Sequence, residues 1–207
     1  MESHTKTPIT RAHVKDGFSY EEYRLMGKDL LSQNKTTGPD QSEKFLNYSK
    51  LNDQRMDRLD KTVVINDELK ALIKNIKRPM VWVVLTELWC GDAAQNLPAF
   101  AKMAAVKNGR IWLSLSLRDE NPELMDAYLT NGSRSIPKLI ALDSETMEEL
   151  FVWGPRPKSA QQIMLDYKAA GSPADVDYKK DIQVWYIKNH TEELQQEFAA
   201  LLKPYTE

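Results

Sequence analysis

Apolar residues recur at a helical spacing through the first third of this chain and then condense into short continuous runs. This change predicts how the chain is organised. Ser19 and Glu22 have the spacing of a capping box, and Tyr23, Met26 and Leu30 follow about one turn apart, so a helix begins near residue 19. Residues 1–18 carry no such pattern and are expected to be loose. Thr36-Thr37-Gly38-Pro39 breaks the chain, and a second, highly charged helix follows whose Phe45, Tyr48, Leu51 and Leu59 line one narrow face. Asn66 with Asp67 and Glu68 starts a third helix, and Leu69, Leu72, Ile73 and Ile76 form its apolar stripe.

The unbroken run Met80-Val81-Trp82-Val83-Val84-Leu85 suits a central strand covered on both faces. A helix over about 90–106, a Gly109 stop and a strand over 111–117 come next. Asn121-Pro122-Glu123 opens another helix, in which Asn can cap, Pro fits the first position and Glu suits the positive end of the dipole; Asn131-Gly132 closes it. Two strands, 139–142 and about 147–153, flank the turn-like Asp143-Ser144-Glu145 and predict an antiparallel hairpin. A helix over about 158–170 covers the sheet. Beyond Gly171-Ser172-Pro173, a charged segment containing Ile182, Tyr186, Phe198 and Leu202 predicts one terminal helix. The fold class is therefore α/β, a small mixed sheet with helices on both faces. The domains read as a helical extension over 1–65, a core domain over 66–171 and a second helical extension over 172–207.

Composition narrows the function classes. With 28 basic and 30 acidic side chains the formal charge is −2, which gives no overall field for a nucleic-acid backbone or an anionic bilayer. The polar start, MESHTKTPITRAHVK, has no signal-like apolar run and no segment is long and apolar enough to span a membrane, so cytoplasmic residence is the expectation. His4, His13 and His190 stand at no ligand spacing to each other or to the single cysteine, which argues against a zinc site and a Cys-His dyad. The mixed charges around Gln54-Arg55-Met56-Asp57-Arg58 read as a solvated face, and no Gly-rich phosphate loop is present.

Candidate chemistry concentrates in Thr86-Glu87-Leu88-Trp89-Cys90-Gly91-Asp92-Ala93, where a buried strand gives way to a helix. A sulfur at a helix N-terminus meets unsatisfied backbone N–H groups and the positive end of the dipole, both of which favour thiolate. An unperturbed thiol is only about 3% ionised at pH 7, and lowering its pKa by ~1.5 units takes about 2 kcal/mol. Asp92 works in the opposite direction, because its carboxylate repels a second negative charge. Glu87 reads as a solvated loop carboxylate. With one cysteine, no intrachain disulfide can form.

Trp89-Cys90-Gly91 resembles the start of the thioredoxin WCGPC motif, and Pro98 matches that family's helix proline eight residues after the cysteine. Arg134-Ser135-Ile136-Pro137 before an apolar strand is similar to the family's segment ending in a cis-proline beside the active site. Together these landmarks, spread over about 66–170, resemble the thioredoxin-like superfamily, and most of all its uncharacterised bacterial members with a WCGD string. The resemblance implies a thioredoxin fold with N-terminal and C-terminal helical extensions. It makes Cys90 the exposed nucleophile, with Trp89, Gly91, Asp92, Ala93, Ser135, Ile136 and Pro137 forming the groove for a substrate.

Three departures modify that implication. Ala93 replaces the resolving cysteine, Val84 stands where the family keeps a buried acid, and Asp92 replaces the motif proline. The expected function is then that of a monothiol redox protein, in which Cys90 forms mixed disulfides with protein or low-molecular-weight thiols. No resident cofactor or metal is called for; glutathione or another small thiol would serve as co-substrate. The alternative is a non-catalytic peptide- or protein-binding module of the same fold. A third reading is an iron-sulfur cluster shared between two subunits through Cys90.

Overall fold

A computed structural model describes residues 8–171 and 178–207. The apolar run predicted to be central forms β1 (Met80–Thr86), buried along its whole length. It pairs in parallel with β2 (Ile111–Leu117) and antiparallel with β3 (Lys138–Asp143), which pairs antiparallel with β4 (Glu149–Trp153). The described residues thus form one mixed sheet in the order β2-β1-β3-β4, and helices flank it. This is the α/β architecture that the resemblance implies.

The helices follow the 3.6-residue pattern where their inward faces are apolar. Helices α2 (Tyr20–Ser32) and α4 (Asp67–Asn75) start as predicted, with Ser19 accepting from the Glu22 N–H and Asn66 from the Leu69 N–H. The long α3 (Glu43–Thr62) departs from its expected face. Ser49, Asn52 and Met56 are buried, whereas Tyr48 and Leu51 are exposed. The inward polar groups are satisfied: the Ser49 hydroxyl bonds that of Thr36 at 2.5 Å and donates to the Phe45 carbonyl, and Asn52 Nδ2 donates to the Leu88 carbonyl at 2.8 Å. A buried polar stripe of this kind is invisible to hydrophobic periodicity.

Two expectations at the chain's ends are corrected. Within 1–18, residues 11–16 form a short helix, α1 (Arg11–Asp16), Ile9 is buried, and Phe18 bonds both ways with the Leu115 backbone at the edge of β2. A Thr10–His13 capping box and the Arg11 guanidinium, which donates to the Ser144 and Glu145 carbonyls, hold this segment. The described residues of the C-terminal segment form two α-helices, α8 (Tyr178–Asn189) and α9 (Glu192–Leu202), because His190 and Thr191 adopt the left-handed conformation between them. Of the break predicted at Gly171-Ser172-Pro173, Ser172 and Pro173 lie outside the described residues.

The remaining helices are α5 (Gly91–Ala104), the short α6 (Pro122–Ala127) and α7 (Lys158–Ala169). Asn121 does not cap α6 with its side chain, which donates instead to the Leu117 carbonyl. Pro98 lies inside α5. Among the described residues, no helix is long and apolar enough to cross a membrane.

Candidate functional site

The backbone that presents Trp89 and Cys90 is pinned from two sides. The Leu88 N–H donates to the Thr37 hydroxyl at 3.0 Å, and the Leu88 carbonyl accepts from Asn52 on α3. The chain then turns so that Cys90 is the N-cap of α5, and its Sγ accepts the Ala93 N–H at 3.4 Å. The Ile136–Pro137 peptide bond is cis, and the Ile136 carbonyl lies 3.2 Å from Sγ, placed to accept the thiol proton. Trp89, Cys90, Gly91, Asp92, Ser135 and Ile136 all border one pocket; Ala93 and Pro137 are buried just behind it.

The thiol does not project into solvent as the sequence suggested. Cys90 is only 7% exposed. Burial first, then the Asp92 carboxylate, pushes its pKa up to about 12, and the backbone N–H groups of Ala93 and Asp92 and the charge of Arg156 offset this only in part. Desolvation disfavours the charged form more than one helix terminus favours it. At neutral pH this sulfur is a protonated thiol.

Asp92 does more than oppose a charge on the sulfur. It is buried, with Oδ2 accepting Arg156 Nε and Nη2, each at 2.8 Å, and Oδ1 accepting the Tyr186 hydroxyl at 3.2 Å. Burial pushes this carboxyl up from the ordinary range, while Arg156 and Tyr186 hold it in place; Arg156 itself is drawn above its usual value, its own burial opposing and the Asp92 charge prevailing. Arg156 follows β4 after Gly154 and Pro155. Gly154 has φ +119, and a Cβ there would stand 2.2 Å from the Pro137 carbonyl oxygen, so the segment that leads from β4 to Arg156 approaches Pro137 as only glycine allows.

Helix α8 is tied to the same corner by polar contacts. Asn96 Nδ2 donates to the Tyr186 hydroxyl at 3.0 Å, and Gln95 Nε2 donates to Gln183 Oε1 at 2.8 Å. A Cβ on Gly91 would stand 3.2 Å from Gln183 Nε2 and 3.5 Å from Arg55 Nη1. Helices α3 and α8 therefore close over the start of α5, leaving a pocket of about 510 Å³ in front of Cys90. Its aromatic wall is Trp89, Phe45 and Tyr48. Trp89 meets Phe45 edge-on at 5.1 Å between ring centroids and has the Arg118 guanidinium over its face at 4.7 Å.

Glu87 is not the solvated loop carboxylate that the sequence suggested. It is fully buried, with Oε1 accepting the Asp119 N–H at 2.9 Å and Oε2 without a hydrogen-bond partner. Burial raises its pKa against the hydrogen bonds from Thr37 and Asp119. Sequence reasoning missed Asn52, Arg55, Arg156, Tyr186 and Gln183 as site residues. All lie in segments without a recognisable motif, and only the fold brings them to Cys90. Among the described residues, no group of three or more His, Cys, Asp or Glu side chains is arranged to hold a metal ion.

Comparison with known proteins follows the same lines. No curated protein sequence matches the chain. Two solved structures match in fold: a protein of unknown function from Pseudomonas aeruginosa, at 16% identity and TM-score 0.57, with 90% of this chain and 98% of that one covered, and an HIV epitope-scaffold, at 17% identity and TM-score 0.57, with 90% and 99% covered. The thioredoxin sequence profile matches residues 38–171, a span that runs from the break before α3, through Cys90 and the Ile136–Pro137 loop, to the end of α7. With more than half of its length in that match, and Trp89, Cys90, Gly91 and Ile136 bordering one pocket, the chain belongs to the thioredoxin family.

Proposed function

We propose that this chain is a non-catalytic binding protein built on the thioredoxin fold, whose ligand occupies the pocket in front of Cys90. One observation carries this reading: the only sulfur nucleophile of the chain is buried and held as a thiol against the Ile136 carbonyl, with a carboxylate beside it. Among the described residues no free general base accompanies it, since Asp92 is committed to Arg156 and Tyr186, and the chain has no second cysteine, Ala93 holding the resolving position. The family's groove is kept as a place of contact. Cys90 contributes shape and one hydrogen-bond donor.

A second reading is favoured by one specific feature, that the sulfur still borders the pocket between the Ala93 N–H and the Ile136 carbonyl. In it, Cys90 as thiolate attacks a disulfide of a protein or small thiol, the displaced sulfur leaves as thiolate, and glutathione or a similar thiol then attacks the mixed disulfide and releases Cys90. Measuring the alkylation rate of native protein against pH separates the two. The binding reading expects an apparent pKa above 10 and partner capture that survives Cys90→Ala. An apparent pKa below 8.5, with adducts in cell extract that Cys90→Ser abolishes, establishes the redox reading instead.

A further inference from the structure

The pocket in front of Cys90 is strongly cationic in a protein whose formal charge is −2. Three of its cations are paired with carboxylates: Arg118 with Asp119, Arg134 with Asp126 and Arg156 with Asp92. Three others, Lys44 and Arg55 on α3 and Lys180 on α8, form no ion pair among the described residues. Lys179 adds a further charge over the Tyr48 ring at 6.0 Å.

Arg55 is the most telling of these. Its side chain is partly buried, it donates to Asn52 Oδ1 at 2.8 Å, and burial together with the neighbouring Arg58 lowers its pKa against the pull of Asp92. A partly desolvated guanidinium that makes no ion pair, and feels only the longer-range pull of an Asp92 already bonded to Arg156, is unfavourable, and an anionic ligand would offset that penalty. A concave site of one sign also focuses the field and raises the local concentration of the opposite charge. The Phe45, Tyr48 and Trp89 rings line the same pocket, with Arg118 over Trp89 and Lys179 over Tyr48, and the volume of about 510 Å³ suits a small organic molecule. The approach of Gln183 and Arg55 to Gly91 narrows the groove along which an extended peptide would run.

Building on the reading of this pocket as a binding site, we propose that it takes a small organic polyanion, with its phosphate or carboxylate groups received by Arg55, Lys44 and Lys180 and its organic frame packed against Phe45, Tyr48 and Trp89. The test is calorimetric titration of the full chain with ATP, citrate, inorganic pyrophosphate, adenosine and an Asp/Glu hexapeptide at 50 and 300 mM NaCl. Binding of ATP or citrate is expected, about tenfold weaker at the higher salt and about tenfold weaker in Arg55→Gln and in Lys44→Gln/Lys180→Gln, with adenosine silent. ATP alone points to phosphate and citrate alone to carboxylate; either supports the proposal. It is overturned if neither binds, if both variants bind like the parent, if pyrophosphate binds as tightly as ATP and citrate, or if the hexapeptide binds tighter than both. The Cys90 alkylation profile and partner capture by Cys90→Ala decide the broader reading whichever of these results is obtained.

Discussion

Asp92 faces two demands at once, because it completes a buried ion pair with Arg156 and also faces the Cys90 sulfur as an unfavourable like charge. Asp92→Asn should separate them. Removing the carboxylate takes away what, after burial, most raises the thiol, and it leaves the Arg156 charge uncompensated nearby. The apparent pKa of Cys90 should fall by about one unit, and alkylation at pH 8 should run about tenfold faster. The same variant should lose about 3 kcal/mol in urea unfolding, because a buried guanidinium is left without its partner. Unchanged alkylation with intact folding would mean that burial alone sets the thiol. Glu87 gives the converse case. Its carboxyl is raised from 4.5 by burial, so the unfolded chain releases its proton at a lower pH than the native one. Native stability therefore declines as pH rises from about 4.5, until the native group ionises, and the penalty is constant above that. Glu87→Gln keeps an acceptor for the Asp119 N–H and removes the ionisation, so it should gain about 1 kcal/mol at pH 7 and show less gain at pH 4. A loss at pH 7 in urea titrations would show that the charged carboxylate is held by more than these bonds.

At the scale of elements, what the sequence made legible follows from which force shaped each segment. β1 announced itself because every residue of it is buried, and α4 because its apolar stripe is unbroken. Cys90 and Ile136–Pro137 were legible as parts of a motif. The face of α3 was misread for a physical reason: its inward positions include Ser49 and Asn52, which satisfy buried groups of the Thr36 and Leu88 segments, while Tyr48 and Leu51 turn outward to the pocket. Nor does composition signal the break between α8 and α9, since two left-handed residues that are not glycine make it. The cage around Asp92 was illegible for another reason. Arg156 and Tyr186 stand 64 and 94 residues from it along the chain, and no local pattern encodes a pairing that only the assembled fold creates.

For the whole molecule, α9 is part of the core rather than an ornament on it. The Phe198 ring on α9 lies 5.1 Å from Trp82 on β1, 5.3 Å from Phe100 on α5, 6.3 Å from Phe151 and 5.7 Å from Trp153, both on β4. One ring from beyond the family match thus fills the space among the central strand, the edge strand and the helix that begins at Cys90. Leu194 and Leu202 of α9 are buried in the same cluster. Gln195 adds polar closure, accepting the Asn66 N–H at 2.8 Å and donating to the Val64 carbonyl, so α9 also fixes the start of α4. The site depends on this packing, because α8, which reaches α9 through the left-handed pair at 190–191, supplies Lys180, Gln183 and Tyr186 to the pocket side. Phe198 is fully buried, and Phe198→Ala would leave a cavity bounded by four aromatic rings that cannot collapse into it without leaving their own contacts. Such a truncation should cost about 3–5 kcal/mol, read as a lower urea midpoint at an unchanged slope. If α9 were merely appended, the midpoint would hold and only the near-ultraviolet aromatic signal would change; a single cooperative transition displaced to lower urea is the outcome that its place in the core requires.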